Sequence, residues 1–287
     1  MKYGIIDIGS NSVRLFITDE NLNGKKYSRI TQVASGLSTK GTLIQKSVDK
    51  TIKAVVEFVD FAKSEKVDKI YIYATEAIRS APDGQTFCNL VTEKTAIPVQ
   101  VLSGRQEAET GFFGAYGGQN TCVIDIGGGS TEIIVGDDKG ITFSNSMPIG
   151  VVRLKDICGN QPDVLEGYIN GFASCFTKPE SVNTITAIGG TAQTAATIAQ
   201  AKDAAKANIQ DYVLTISKLD ECIELVLNTP IDKRSSIPGL PQERANTILG
   251  GMMLLRAILK RLNADCVRVS CRDNMEGFLK MKLKRLL

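Results

Sequence analysis

Two segments of the chain, 118 residues apart, carry nearly the same hairpin pattern. Residues 4–17 read G-I-I-D-I-G-S-N-S-V-R-L-F-I, and residues 121–135 read T-C-V-I-D-I-G-G-G-S-T-E-I-I-V. The shift superposes these residue pairs: Asp7 on Asp125, Gly9 on Gly127, Ser12 on Ser130, and Arg14 on Glu132. Each copy predicts two strands joined by a turn of small residues. The repeat favours a duplicated domain, with both turns facing one cleft.

Helical and strand patterns alternate along the rest of the chain, which predicts an α/β protein. Predicted helices span 47–66, 103–116, 192–207, 217–228, 242–262 and a last segment from about 273. A length of 287 residues favours two domains over one. We place them at 1–117 and 118–287, with the last helix packing back on the first domain. We expect substrate to close the two halves about a hinge near Gly117-Gly118.

The small residues of the two turns favour binding of an anion. They leave consecutive backbone N–H groups unobstructed, and the hydroxyl of Ser12 or Ser130 adds a donor. An aspartate two residues before the glycine cannot bind phosphate directly, but it can hold a cation that bridges to phosphate. One such turn alone is as well explained by a polar cap. Two copies and a third glycine turn at 188–192 (I-G-G-T-A) favour a phosphate clamp with metal-holding carboxylates.

The absence of histidine excludes several kinds of site. There is no Ser-His-Asp triad, Cys-His pair or histidine-ligated metal, so a metal needs oxygen ligands, as Mg²⁺ or Mn²⁺ does. No Walker-type G-x-x-x-x-G-K-[ST] segment occurs. Seven scattered cysteines without a C-x-x-C pair indicate reduced thiols in a cytoplasm. No apolar run reaches the roughly 18–20 residues that span a bilayer, and a net charge of +3 does not indicate nucleic acid.

Six motifs in order resemble the exopolyphosphatase / guanosine pentaphosphate phosphohydrolase family. They are D-I-G-S-N-S-V-R (7–14), A-T-E-A-I-R (74–79), S-G-R-Q-E-A (103–108), D-I-G-G-G-S-T-E (125–132), P-I-G-V-V-R-L (148–154) and I-G-G-T-A (188–192). The resemblance implies two ribonuclease H-like domains of the actin-like ATPase superfamily facing each other across a cleft. It also implies a metal-dependent hydrolase that releases terminal phosphate from inorganic polyphosphate or a related phosphoanhydride.

The resemblance assigns roles residue by residue. Glu107 activates or orients the attacking water, and Asp125 and Glu132 join it as catalytic carboxylates. The metal ligands are Asp7, Asp125 and Glu132. The phosphate ligands are Gly9, Ser10, Asn11, Ser12, Arg79, Gly127, Gly128, Gly129, Ser130, Gly189, Gly190 and Thr191. Without a histidine, a carboxylate is also the natural base on chemical grounds.

Local sequence alone leaves other interpretations open. Glu107 is also explained as a carboxylate that complements a helix dipole, Glu132 as an exposed strand residue, and Arg79 as a surface arginine. Two segments depart from the family: Q-V-A-S-G (32–36) and D-N-M-E-G (273–277) both lack an arginine found in relatives. Substrate preference therefore stays open between polyphosphate, which we expect to be short, and guanosine pentaphosphate or nucleoside triphosphates. A polyphosphate- or nucleotide-binding regulator without turnover is a further alternative, and the protein could form a homodimer.

Overall fold

The first half of the chain builds a five-stranded sheet around a completely buried strand. Its strands, in spatial order, are β3 (Gly24–Ile30), β2 (Ser12–Thr18), β1 (Tyr3–Ile8), β4 (Lys69–Ala74) and β5 (Val99–Val101). Strand β1 runs antiparallel to β2 and parallel to β4. All six residues of β1 are buried, including Asp7. The apolar run predicted at the start of the chain is therefore the centre of this sheet.

The second half repeats this arrangement with one additional edge strand. In spatial order the strands are β8 (Gly140–Met147), β7 (Thr131–Asp137), β6 (Thr121–Ile126), β9 (Thr184–Ile188), β11 (Cys266–Val269) and β10 (Tyr212–Thr215). Strand β6 is antiparallel to β7 and parallel to β9. Asp125 lies opposite Glu132 across the hairpin, as Asp7 lies opposite Arg14 in the first sheet. The repeat seen in two short segments thus extends to two whole sheets.

The computed structural model describes residues 1–115, 121–137, 139–175, 179, 182, 184–201 and 207–287. The predicted hinge and the predicted domain boundary at 117/118 lie outside these residues and stay predictions. Helices lie at α1 (Leu37–Lys40), α2 (Gln45–Ser64), α3 (Glu76–Ser80), α4 (Gly84–Thr95), α5 (Gly104–Ala115), α6 (Val151–Cys158), α7 (Pro162–Cys175), α8 (Gly189–Ala199), α9 (Ile216–Leu227), α10 (Ile248–Arg261) and α11 (Asn274–Leu283). In the described part of the chain, none of them has the length and apolar character of a membrane span.

Two helix predictions differ from the structure at their ends. Helix α8 ends at Ala199 instead of continuing to 207, and residues 202–206 lie outside the described part. The helix predicted for 242–262 begins only at Ile248. Before it, residues 242–244 form a 3₁₀ turn after Pro241, in which the amide of Arg244 donates to the Pro241 carbonyl at 2.9 Å. This tighter turn replaces the first turns of the predicted helix.

Helix α11 returns to the first sheet and packs between it and α5. The Phe278 ring stacks on Tyr73 of β4, with 4.5 Å between ring centroids. The apolar cluster around this pair draws on β1, β2, β4, α11 and the residue that follows β5: Tyr3, Ile5, Phe16, Tyr73, Leu102, Met275, Phe278 and Leu279. Helices α5 and α11 approach so closely that a Cβ atom at Gly277 would overlap the Thr110 carbonyl oxygen. This packing brings the first residues of α11 to the space between the two sheets.

We expect Gly277→Ala to lower the free energy of unfolding by about 3 kcal/mol, because the added methyl group meets backbone rather than a movable side chain. Gly167→Ala in α7 is the matched control, since a Cβ atom there has open space. The control should raise stability by about 0.5–1 kcal/mol through the helix propensity of alanine. Urea denaturation of both variants measures the difference. Equal midpoints for the two variants would contradict the close helix contact.

Candidate active site

The two hairpin turns and the third glycine turn meet at a cleft of about 230 Å³ between the sheets. Its lining contains most of the residues predicted for the site: Asp7, Gly9, Ser10, Asn11, Ser12, Glu107, Asp125, Gly127, Gly128, Gly129, Ser130, Gly189, Gly190 and Thr191. Two predicted residues, Arg79 and Glu132, are not among the described residues that line it. The structure therefore brings nearly the whole predicted set together, while the role of each member stays a prediction.

The first loop (Gly9–Ser12) and the second loop (Gly127–Ser130) have the same tight turn. The Gly9 amide donates to the Ser12 carbonyl at 3.0 Å, and the Gly127 amide donates to the Ser130 carbonyl at 2.9 Å. The two loops also touch each other. A Cβ atom at Gly128 would lie 2.5 Å from the Cβ of Ser10, closer than side chains approach. Gly128 and Gly129 are thus required by contact with the first half of the molecule, in addition to the access to phosphate predicted from the sequence.

Glu107 lies in the first turn of α5, where only 7% of it is exposed. A capping box is formed beside it by Ser103 and Gln106: the Ser103 amide donates to Gln106 Oε1 at 3.0 Å, and the Gln106 amide donates to Ser103 Oγ at 3.2 Å. Glu107 is therefore not needed as a cap. Its Oε2 accepts from Arg79 Nη1 at 2.8 Å, which gives Arg79 a buried partner in place of the surface position considered from the sequence.

Burial and neighbouring carboxylates raise the proton affinity of the site. Burial raises the pKa of Glu107 to about 7, with Arg79 opposing the shift and Asp125 adding to it. Burial likewise raises the pKa of Asp125 to about 6. Glu132 is 2% exposed, and burial together with the charges of Glu107 and Asp125 raises its pKa well above the usual range. Several carboxylates therefore share one buried region, which disfavours full ionisation of all of them.

Glu132 and Asp125 each have a neutral hydrogen-bond donor. Ser146 Oγ donates to Glu132 Oε1 at 2.7 Å, and Asn274 Nδ2 donates to Asp125 Oδ2 at 2.7 Å. Because Glu132 is buried, the alternative of an exposed strand residue is wrong. Asn274 belongs to the D-N-M-E-G segment, where the sequence comparison noted only the loss of an arginine. The structure shows that this segment supplies an amide to the central carboxylate of the second sheet.

A network of ion pairs joins the first sheet to the start of α11. Arg14 donates from Nε to Asp7 Oδ2 at 2.8 Å and from Nη1 to Asp273 Oδ2 at 2.7 Å. Lys26 Nζ lies 2.8 Å from Glu276 Oε2 and 3.1 Å from Asp273 Oδ2. Burial alone would raise the pKa of Asp273, but the two cations lower it to about 2. Asp273 is therefore ionised throughout the neutral range and holds α11 against the first sheet.

The oxygen ligands at the cleft fit a hydrated Mg²⁺ or Mn²⁺. Asp7 Oδ1 is buried and has no hydrogen-bond partner among the described residues, while both Asp7 and Asp125 line the cleft. Within the described ranges, no three acidic or thiol side chains converge closely enough to enclose a metal by themselves. Mg²⁺ is typically held by one or two carboxylates together with water and substrate phosphates. Asp7 and Asp125 match that description better than Glu132, which is not among the described residues that line the cleft.

Arg244 is a cleft residue that sequence reasoning missed. It lies over the third glycine turn, and a Cβ atom at Gly190 would overlap its guanidinium. It forms no ion pair with any residue that the structure describes. Burial lowers the pKa of Arg244 to about 10, and the charge of Arg14 adds to this shift. Because a helix was predicted over 242–262, the sequence offered no reason to place Arg244 at the cleft. The prolines in P-G-L-P (238–241) are the signal for an irregular segment just before that helix.

Residues 25–286 match the model of the Ppx/GppA phosphatase family. The chain belongs to this family. It is similar to Exopolyphosphatase 1 of Mycobacterium leprae, with 24% identity over 99% of this chain and 90% of the relative. It is also similar to Exopolyphosphatase 2 of Mycobacterium tuberculosis, with 28% identity over 96% of this chain and 97% of the relative. The crystal structure of the Aquifex aeolicus Ppx/GppA family member superposes with a TM-score of 0.79 at 27% identity, covering 99% of this chain and 98% of that one.

These similarities confirm the resemblance inferred from the six motifs. They also confirm the α/β fold of two ribonuclease H-like domains, because the superposition extends over nearly all of both chains. Membership of a phosphatase family confirms that the protein is a hydrolase. Its substrate and its metal do not follow from membership, and we argue them from the cleft.

Proposed function

We propose that this phosphatase releases terminal phosphate from inorganic polyphosphate by attack of water. The observation that carries the proposal is the position of Glu107. It is a buried carboxylate with a pKa of about 7, at a cleft lined by three glycine turns. A base with a pKa near the working pH combines a sufficient ionised fraction with sufficient basicity. The exopolyphosphatase names of the two mycobacterial relatives support polyphosphate as the substrate.

The residues of the cleft divide the work of phosphoanhydride hydrolysis. Glu107 Oε1 or Oε2 accepts a proton from the attacking water, and Arg79 fixes the orientation of this carboxylate. Backbone amides of the glycine turns and the guanidinium of Arg244 bind phosphate oxygens. Asp7 and Asp125 would hold Mg²⁺ or Mn²⁺, which would neutralise charge on the phosphate oxygens. Positioning and charge neutralisation are the main requirements of phosphoryl transfer, which needs little covalent help from the protein.

The cytoplasm is the compartment that suits this proposal. The cysteines whose side chains the structure describes are free thiols: Cys88, Cys122, Cys158, Cys222, Cys266 and Cys271. Free thiols are usual in a reducing compartment. The expected lack of nucleic-acid and membrane partners and the open question of a homodimer remain as the sequence left them.

A phosphate-release assay over a panel of substrates tests the function. Long polyphosphate, tripolyphosphate, guanosine pentaphosphate and ATP are each incubated with the enzyme and Mg²⁺. We expect release from the polyphosphates. Segments 32–36 and 273–277 lack arginines that relatives carry there, so fewer cations are available to bind a long polyanion. Short chains should therefore be hydrolysed at least as well per molecule as long ones. Faster phosphate release from guanosine pentaphosphate or ATP than from the polyphosphates would identify that nucleotide, and not polyphosphate, as the substrate. Binding without release would support the regulator.

Arg244→Met should raise KM for polyphosphate by about tenfold to a hundredfold, because a charge-assisted hydrogen bond contributes about 1.5–3 kcal/mol. The same change should not lower the melting temperature, since a partly buried guanidinium without an ion-pair partner among the described residues is itself unfavourable. Steady-state kinetics and thermal unfolding on one preparation measure both effects. A KM equal to that of the wild type would remove Arg244 from the phosphate-binding set.

A further inference from the structure

An ion pair between Glu76 and Arg153 connects the two glycine loops. The Arg153 guanidinium donates from Nη2 to Glu76 Oε1 at 2.6 Å and from Nε to the Gly129 carbonyl at 3.1 Å. On the other side, Ser10 Oγ donates to Glu76 Oε2 at 3.4 Å. Glu76 therefore contacts the first loop, and Arg153 contacts the second. Both belong to motifs, A-T-E-A-I-R and P-I-G-V-V-R-L, in which the proposed chemistry uses neither residue.

Each partner is fixed to its own half of the molecule. Arg153 lies in the first turn of α6, whose amides at Val151 and Val152 donate to the Gly127 and Gly128 carbonyls at 3.0 and 2.8 Å. Helix α6 and the second loop therefore form one unit. Glu76 begins α3 directly after β4, the strand that pairs with β1. The ion pair thus joins two units instead of stabilising one of them.

The ion pair between Glu76 and Arg153 is largely shielded from solvent. The Glu76 side chain is 9% exposed and the Arg153 side chain 22% exposed. A Cβ atom at Gly129 would overlap the Glu76 carboxylate, so the loops are already in contact where the pair forms. Separating the loops would break this charge-assisted, hydrogen-bonded pair, which can form only while the loops are together. The pair therefore favours the arrangement in which the loops face each other across the cleft.

We propose that Glu76 and Arg153 are positioning residues that hold the second loop against the first. They thereby set the closed fraction, which is the fraction of molecules in which the two loops are in contact. The proposal rests on the proposed function in one respect, that the two loops bind phosphate. Neither residue is among the described residues that line the cleft, so their effect on substrate passes through the loops. When the closed fraction falls, apparent affinity falls by the same factor, while saturating substrate restores closure.

Arg153→Met tests the proposal, with Arg256→Met as the matched control. The Arg256 side chain is 21% exposed and pairs with Asp220 at 3.2 Å and Glu166 at 3.5 Å, all within the second half. We expect Arg153→Met to raise KM for the preferred phosphate substrate by about tenfold or more, with kcat within about threefold of the wild type. The control should change neither value. An unchanged KM in Arg153→Met, or equal changes in both variants, would overturn the proposal.

Hydrogen exchange on the substrate-free protein separates this proposal from the proposed function. The amides of the first and second loops should exchange faster in Arg153→Met than in the wild type or in Arg256→Met. Unchanged exchange would overturn the ion-pair link whatever the substrate is. Faster exchange with no phosphate release from polyphosphate would leave the link in place and refute the proposed substrate. Should Arg153→Met not fold, Glu76→Gln keeps the size of the side chain and gives the same two readouts.

Discussion

Glu107→Gln should reduce kcat by about 10²–10⁴-fold, which corresponds to roughly 3–5 kcal/mol of barrier, because general-base catalysis contributes on this scale. The amide keeps the size of the side chain, and its oxygen still accepts from Arg79. Substrate binding should be unchanged or tighter, since the change removes a negative charge beside a polyanion. Steady-state kinetics and calorimetric titration with polyphosphate measure the two quantities separately. Near-normal kcat in a folded variant would remove Glu107 from the catalytic set and make Glu132 the next candidate for the base.

The pH dependence of the wild type provides a control for this variant. Glu107 faces Asp125 of β6, Asp7 of β1, Glu132 of β7 and its partner Arg79 of α3. Since its pKa is raised to about 7, kcat/KM should rise with pH and level off above about 7. The folded protein binds the proton of the Glu107 carboxyl group more tightly than the unfolded chain does. The contribution of this proton to the free energy of unfolding is therefore lost as pH rises from about 4.5 to about 7. Glu107→Gln should weaken both dependences, and the raised pKa values of Asp125 and Glu132 account for the part that remains.

Removal of the divalent cation should abolish phosphate release, and Asp125→Asn should have a comparably large effect. Asp7 and Asp125 are the carboxylates that we place at the cation, and repulsion between buried carboxylates adds to the raised pKa of each. A cation relieves this repulsion, so Mg²⁺ should raise the melting temperature of the wild type. Asp125→Asn should lose most of that increase. Thermal unfolding with and without Mg²⁺ measures it independently of turnover.

Asp273→Asn is a suitable comparison for Asp125→Asn. Asp273 also lines the cleft, but it is bound to Arg14 and Lys26 and we assign it no cation. Asp273→Asn should lower the melting temperature without removing the increase in melting temperature that Mg²⁺ causes. Full activity in excess chelator, or an unchanged response to Mg²⁺ in Asp125→Asn, would contradict the metal assignment.

The central part of the fold and of the cleft could be predicted from the sequence because it repeats. A buried aspartate at the end of a strand is unusual, and its recurrence in register after 118 residues indicated that Asp7 and Asp125 are equivalent. Strand alternation and glycine turns are local signals, so the hairpins and the three loops followed from short segments. Glu107 was predicted through its motif, and the three-residue spacing of Ser103 and Gln106 is the pattern of a capping box that does not need Glu107.

The remaining contacts join residues that are distant in sequence, and no local pattern determines them. Arg153 meets Glu76 across 77 positions, and Asn274 meets Asp125 across 149. Arg244 reaches the third glycine turn only because a 3₁₀ turn replaces the expected helix. Arg79 was predicted to bind phosphate and lies against Glu107 in the structure. In each case the orientation of a side chain depends on how the two halves pack, which composition and periodicity do not reveal.

Hydrolysis in ¹⁸O-labelled water tests most directly whether Glu107 directs water to a terminal phosphorus. A short polyphosphate of defined length is converted with Mg²⁺, and the products are separated and their isotope content is measured. Attack at the terminal phosphorus predicts one ¹⁸O atom in each released orthophosphate and none in the shortened chain. The rate of labelled phosphate release should be strongly reduced in Glu107→Gln. Label in the shortened chain, cleavage inside the chain, or undiminished labelled release by Glu107→Gln would contradict the proposed reaction.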